Sequence, residues 1–294
     1  MNTNSKLVAS EAVAATSVRQ ERERAAHAAH AARAKRRKIA GIFYPVIFAV
    51  AFIVVWDVLC RVLSVPAYLV PAPLAVVGSL VANGATLWND ALITLAEIVA
   101  GFALSIAVGI PIALGIFASP TFERTVYPAL VASQAMPKVA IAPLLIVWFG
   151  FGFMPKVMVA FLVAFFPIVI NTVAGLAAAE PEKIVLARSM GLSGVDTFFK
   201  IRLPNALANI FAGLKIAITL AVVGAVVGEF VGGNGGLGYQ LLAANGSMDT
   251  PLLFAVLFLL TALGVLLFVL VEAVEHLFVP KHISVSRSRT GGGQ

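Results

Sequence analysis

Residues 233–238 read Gly-Asn-Gly-Gly-Leu-Gly, the G-x-G-x-x-G spacing that lets a backbone approach a pyrophosphate. That chemistry needs a preceding strand and a following helix in a βαβ unit. Here a long apolar run precedes the glycines, so the spacing reads as a glycine-rich reversal and not as a nucleotide cradle. The chain contains no G-x-x-x-x-G-K-[ST], no H-E-x-x-H and no G-x-S-x-G. P-loop ATP hydrolysis, zinc proteolysis and serine hydrolysis therefore lack the residues that would carry them. His27 and His30 stand at i, i+3 in an Ala- and Arg-rich stretch, which reads as a solvated face before it reads as a metal site. His276, which follows Glu275, and His282 fall in no recognisable metal-binding motif. Cys60 is the single cysteine, which excludes an internal disulfide and a multi-Cys metal centre. No catalytic residue, resident cofactor or metal is expected. The chemistry that remains lies in polar groups set inside apolar runs: Glu97, Gln134 and Lys138 around Pro137, and Glu229.

The elements that must hold those groups follow from composition. The 294 residues are 60% hydrophobic and 12% charged, and the mean hydropathy is +0.98. A soluble domain is nearer 45–50% apolar and about 25% charged. A soluble enzyme and a disordered chain are both excluded, leaving a polytopic membrane protein whose surrounding partner is lipid. A bilayer core of about 30 Å needs about 20 apolar residues as helix. Six runs qualify: 41–63, 93–117, 126–149, 156–178, 209–231 and 252–279. They are apolar on all sides, so alternating β-barrel strands are absent and the predicted fold is all-α. Pro111, Pro137, Pro143 and Pro167 interrupt these runs, each removing a backbone donor that protein or water must compensate. The run 126–149 is predicted to be a bent helix. Either it borders a permeation path, with Gln134, Pro137 and Lys138 beside the solute, or it is a packing kink with Lys138 reaching for the interface. Glu97 is expected to lie close enough to the outer surface to be hydrated. Glu229 is either hydrated in the same way or turned inward beside the path. Gly224, Gly228 and Gly232, four apart, form a small-residue stripe that lets two helix backbones approach.

Charge sets the orientation. Residues 1–38 are basic, end in Lys35-Arg36-Arg37-Lys38, and read as a disordered tail and not as a cleaved signal peptide. Together with Arg124, the 179–208 loop and the tail 281–294, they place 17 of the 21 Lys and Arg on one side. Arg61 and Lys156 fall at span ends on the other side. The positive-inside rule then puts both termini in the cytoplasm of a multi-pass cell-membrane protein. Topology accounts for the net charge of +7, so nucleic acid is not a required partner. The membrane domain is 39–280.

The 179–208 loop is long, polar at its edges and unusually apolar within. Pro181, with Glu180 and Glu182 beside it, suits a helix start, since the N-terminal dipole prefers acids. Ile184, Ala187, Arg188 and Gly191 follow helical spacing, and Gly191 suits the end. A second short helix is predicted over 195–201, stopping before Pro204. Ile184, Leu186, Met190, Leu192, Phe198 and Phe199 need burial against the membrane domain or another protein. Ala187-Arg-Ser-Met-Gly191, followed by Ile201-x-Leu203-Pro204, resembles the EAA loop of ABC importer permeases, the binding-protein-dependent transport inner-membrane components. The third-position Ala187, Gly191 and the Ile-x-Leu-Pro ending are kept, while Val185 and Leu186 depart from the Glu-Ala that opens the motif. Val65-Pro66 through Pro71-Ala72-Pro73, Pro137-Lys138 through Pro143 with Trp148-Phe149-Gly150, and Gly236-Leu237-Gly238-Tyr239 are similar to the nitrate/sulfonate/taurine branch. The similarity covers 42–280.

That resemblance implies a permease subunit with no ATPase site of its own. A second copy would complete the pore as a homodimer. An ABC ATPase, carrying ATP and Mg, would dock on the helix 184–192 through Ile184, Leu186, Ala187, Arg188, Ser189, Met190 and Leu192, with Leu186 and Met190 as apolar anchors and Arg188 adding an ion pair. Gly191 would permit close approach, and Pro204 would mark the re-entry into the membrane. An extracytoplasmic binding protein would deliver the solute. The branch implies a nitrate-, sulfonate- or taurine-like anion; the alternatives are a vitamin precursor such as a pyrimidine or riboflavin, and an ATP-independent secondary transporter. A secondary transporter would call for internal repeats, and residues 41–149 and 156–279 show no evident self-similarity.

Overall fold

The computed structural model of the chain describes residues 44, 47–63 and 66–279. The expected tails, 1–38 and 281–294, and the start of the first predicted span lie outside the described residues. Among the described residues every regular element is helical. The chain divides into two units, Met1–Val65 and Pro66–Gln294. In the first, helix α1 covers 47–62 and carries an i, i+4 ion pair between Arg61 and Asp57 at 2.7 Å.

The second unit holds α2 (Pro73–Ala82), α3 (Gly84–Ala118), α4 (Pro120–Ser133), α5 (Ala142–Phe149), α6 (Phe153–Ala177), α7 (Pro181–Ser189), α8 (Gly194–Thr197), α9 (Leu203–Gly232), α10 (Leu237–Gly246) and α11 (Thr250–Phe278). Among the described residues four helical runs are long and apolar enough to cross a membrane: α3, α6, Gly194–Gly232 and α11. The pair α4 and α5 makes a fifth if it is one broken span. α1 represents the first of the six predicted runs. The third is not one bent helix. α4 and the segment Lys138–Phe149 meet at 86°, because Pro137 and Pro143 withhold two ladder donors in succession and only a 3-10 turn, Lys138–Ile141, fits between them. Pro111 and Pro167, by contrast, stay inside continuous helices.

Helix starts follow local chemistry. α2, α4, α5, α7 and α11 all begin with a proline in the first two positions, where its missing N–H costs nothing. Ser119 caps α4 by accepting from Phe122 N–H, and Asp249 caps α11 by accepting from Leu252 N–H.

The core is built from small residues. Ala160 on α6 is fully buried between Gly101 on α3 and Gly224 on α9. An added Cβ at Gly101 would sit 2.6 Å from Ala160 Cβ, and one at Gly224 would sit 2.6 Å from Ala160 Cα. Gly228 meets Lys156 Cα at 2.8 Å in the same sense, and Gly232 meets Ile146 at 2.6 Å. Ala164, Ala206, Ala217, Ala221 and Ala225 continue the contact between α6 and α9. Where lipid offers no hydrophobic drive between helices, such backbone approach supplies the dispersion energy that holds them. Large side chains such as Val223, Val265, Leu266 and Leu270 point outward, as a hydrocarbon solvent allows.

Candidate functional site

Two ends of the α3–α6–α9 bundle carry the chemistry. At one end α6 leaves for α7. Glu180 and Lys183 pair at 3.1 Å across its first turn. Gly191 takes φ +80, a left-handed conformation that favours glycine. Leu192 N–H donates to Ala187 O and Gly191 N–H to Arg188 O, each at 3.0 Å. These are the two bonds of a Schellman ending. Ala187 is buried and Ile184 and Leu192 half-buried, while Arg188, Ser189 and Gly191 are exposed. Val185, Leu186 and Met190 are 66%, 60% and 71% exposed. The helix thus seats one small residue inward and presents its large apolar side chains outward.

Ser193 caps the next helix, accepting from Asp196 N–H at 3.0 Å and donating to its carboxylate at 2.6 Å. Lys200 pairs with the same carboxylate at 2.7 Å. The short helix predicted to stop before Pro204 does not stop. α8 passes through a π turn, Phe198–Arg202, directly into α9. Leu203 N–H reaches back to Phe198 O, the i→i−5 bond of a π turn. The wider turn accommodates a proline that has no donor and whose ring crowds the carbonyl four residues earlier. Pro204 is therefore in the first turn of α9 and half-buried.

At the opposite end lies a buried polar network that the sequence did not predict. Asp90, Thr94 and Glu97 share one face of α3 and are buried. Lys156, expected at an outer span end, is 3% exposed. Its Nζ donates to Glu97 Oε1 at 2.7 Å and to Gly235 O at 3.2 Å. The expectation that Glu97 is hydrated is corrected: its side chain is fully buried and ion-paired. The pairing removes the reason to seek water. Glu229 is 1% exposed. It accepts from the Thr94 hydroxyl at 2.6 Å and from Gly238 N–H. Thr94 accepts in turn from Leu237 N–H at 2.8 Å. Asp90 accepts from Gly236 N–H and from Gln240 Nε2, both at 2.8 Å.

The glycine spacing that resembled a dinucleotide loop now has a physical reason. Consecutive N–H groups at 236, 237 and 238 form a small anion-binding concavity, and the protein's own oxygens fill it. Gly236 has φ +107, and a Cβ at Gly236 or Gly238 would meet the Glu229 carboxyl. No phosphate has room there. The connection from α9 to α11 also holds a helix, α10, that the glycine signal alone did not reveal.

Gln134, Pro137 and Lys138 lie apart from this network. Gln134 and Pro137 are exposed and Lys138 half-buried. Lys138 Nζ stands 4.4 Å over the Phe166 ring. The structure does not bring Lys138 and Glu229 together. Asp90, Thr94 and Lys156 are the residues the sequence reading missed. Their signal was position: each falls at the same end of its apolar run as Glu97, Glu229 and the glycine loop. Among the described residues no cluster of His, Cys, Asp or Glu is suited to hold a metal.

Residues 105–282 match the family described as binding-protein-dependent transport system inner membrane component. The formylaminopyrimidine transport permease ThiX of Halalkalibacterium halodurans is 38% identical over 80% of this chain and 94% of its own length. The riboflavin transport system permease RibX of Chloroflexus aurantiacus is 37% identical over 77% and 85%. The taurine transport system permease TauC of Escherichia coli is 27% identical over 80% and 87%. The fold is similar to a chain of the inward-facing MetNI methionine ABC transporter, with a TM-score of 0.59 and 20% identity, covering 66% of this chain and 97% of that one. The chain belongs to the binding-protein-dependent transport system inner-membrane components and is an ABC importer permease.

Proposed function

We propose that this permease forms its pore with a second copy of itself and takes its power stroke through residues 184–192. One observation carries the reading: a Schellman-terminated helix outside the membrane spans leaves Val185, Leu186 and Met190 uncovered. Water-exposed apolar side chains concentrated on one short helix fit a groove in a partner protein. That partner is an ABC ATPase, which holds the ATP and Mg. The charge count supports a cytoplasmic position for this helix and for both termini. The network end then faces outward, where an extracytoplasmic binding protein delivers the solute. Closure of the ATPase pair would move the two docking helices together, and the packed bundle would convert that movement into alternating access.

The solute we favour is a heterocyclic vitamin precursor of the pyrimidine or riboflavin kind. The relatives named for such solutes, at 37–38% identity, are more similar than the taurine permease at 27%. The anion reading loses support from Lys138 as well, since its ammonium stands over an aromatic ring.

Two experiments test this. Gly191→Asp places a charged side chain at a left-handed position in the docking turn. It is expected to abolish uptake and ATPase copurification while leaving membrane insertion intact; normal uptake refutes the docking assignment. Binding proteins recovered with the intact importer are then screened against pyrimidines, flavins, taurine and alkanesulfonates. Binding of a sulfonate alone refutes the vitamin-precursor reading.

A further inference from the structure

The π turn sets one side chain between three helices. Arg202 is its last residue. Its guanidinium donates to Leu176 O at 3.4 Å and lies 4.9 Å from the centre of the Phe117 ring. Leu176 is the penultimate residue of α6, and Phe117 is the penultimate residue of α3. The last carbonyls of a helix have no partner within it, and the C-terminal end carries partial negative charge. At α6, Ala178 N–H closes onto Ala174 and Gly175, so the Leu176 carbonyl comes after the ladder has ended. One flat cation therefore caps α6 and stacks on the final turn of α3. Phe198, the first residue of the same π turn, packs on Phe117 as well, with ring centres 6.4 Å apart.

The helix that carries Arg202 is continuous from α8 into α9. A displacement of the 181–197 segment runs along α9 through the backbone. It reaches α6 through the short backbone link 178–180 and the end of α3 only through side-chain contacts. We propose that Arg202, anchored on the Leu176 carbonyl of α6, is the positioning residue that makes the end of α3 move with α8 and α9. Arginine suits the task because its planar fork can donate to a carbonyl and stack on a ring at once, while lysine offers a point charge. The assignment rests on the docking and homodimer reading above.

The test follows the movement directly and needs no solute. In a Cys60→Ser background, a spin label is placed at Ala118→Cys, the last residue of α3, or at Val195→Cys on α8. Each labelled permease is assembled with its ATPase, and the distance between the two copies' labels is measured without nucleotide and with ATP and vanadate. In the wild-type sequence both label pairs are expected to shift. With Arg202→Met, the 195 pair is expected to shift as before while the 118 pair loses more than half of its shift. Arg202→Lys, which keeps the charge, is expected to lose less, and it serves where the Met variant does not assemble. A 118 pair that still moves in step with the 195 pair in both variants overturns the assignment. A wild-type 195 pair that does not move overturns the docking reading and this one with it, and that result is distinct from a failure confined to position 202.

Discussion

Lys156→Met tests whether the buried network acts as one unit. Lys156 and Glu97 are 3% and 1% exposed, and their ion pair spans 2.7 Å between α6 and α3. Glu97 Oε2 has no hydrogen-bond partner, so Lys156 is the donor that reaches that carboxyl. Removing it leaves an uncompensated carboxyl in a dry site and takes a donor from Gly235 O. Stranding one member of a buried pair costs about 3–5 kcal/mol. Hydrogen bonds between neutral groups in membrane helices average nearer 0.6 kcal/mol, so the two cases are separable. Glu97→Leu strands the lysine by the same logic and costs a similar amount. The double variant removes both charges and leaves an apolar contact of comparable volume. Replacing a whole buried pair in this way is often neutral or favourable, so the double variant is expected to be more stable than either single one. Titration of purified protein with dodecyl sulfate in mixed micelles, followed by far-UV circular dichroism, gives the unfolding free energies of the parent protein and the three variants. Additivity within about 0.5 kcal/mol, the behaviour of independent sites, would refute the network reasoning.

The same titration tests the close packing of α6 and α9. Gly224→Val sets a side chain against Ala160 Cα, where the Cβ alone would stand 2.6 Å away. Backbone cannot yield as a side-chain tip can, so a loss of about 1–3 kcal/mol or more is expected. Gly78→Ala, in a helix position with nothing within 4 Å, is expected to gain about 0.5–1 kcal/mol; equal effects at the two glycines would show that backbone approach does not matter. At the turn that ends α7, Gly191→Ala places a Cβ at φ +80, which costs about 1–2 kcal/mol locally. Amide exchange at Leu192 is expected to speed up about fivefold or more with the global unfolding midpoint unchanged; unchanged exchange would refute the strained turn.

The spans were legible because their signal is local: about 20 consecutive apolar residues leave few alternatives to a membrane helix. The α7 start at Pro181 and its end at Gly191 were legible for the same reason, since each depends on a few neighbouring residues. Two features were not. Pro204 reads as a stop because proline opposes an α-turn, and a π turn that absorbs it leaves no mark in residue types alone. Glu97, Lys156 and Glu229 were read one at a time, and a lone charge in an apolar run is cheapest near water. Their pairing spans 59 residues from Glu97 to Lys156, and it becomes visible only when depth is compared across spans. Asp90, Thr94 and Glu97 open the second run, Lys156 opens the fourth, and Glu229 closes the fifth, beside the glycines. Three acids, one lysine and the N–H groups of a loop at one depth bond to one another, with Glu97 Oε2 the oxygen left over. The other end has no such balance: Val185, Leu186 and Met190 face outward with no apolar cover among the described residues. The bundle thus pairs most of the polar groups of one end internally and leaves the apolar groups of the other uncovered. That asymmetry is the physical ground for proposing a docking surface at the 179–208 end.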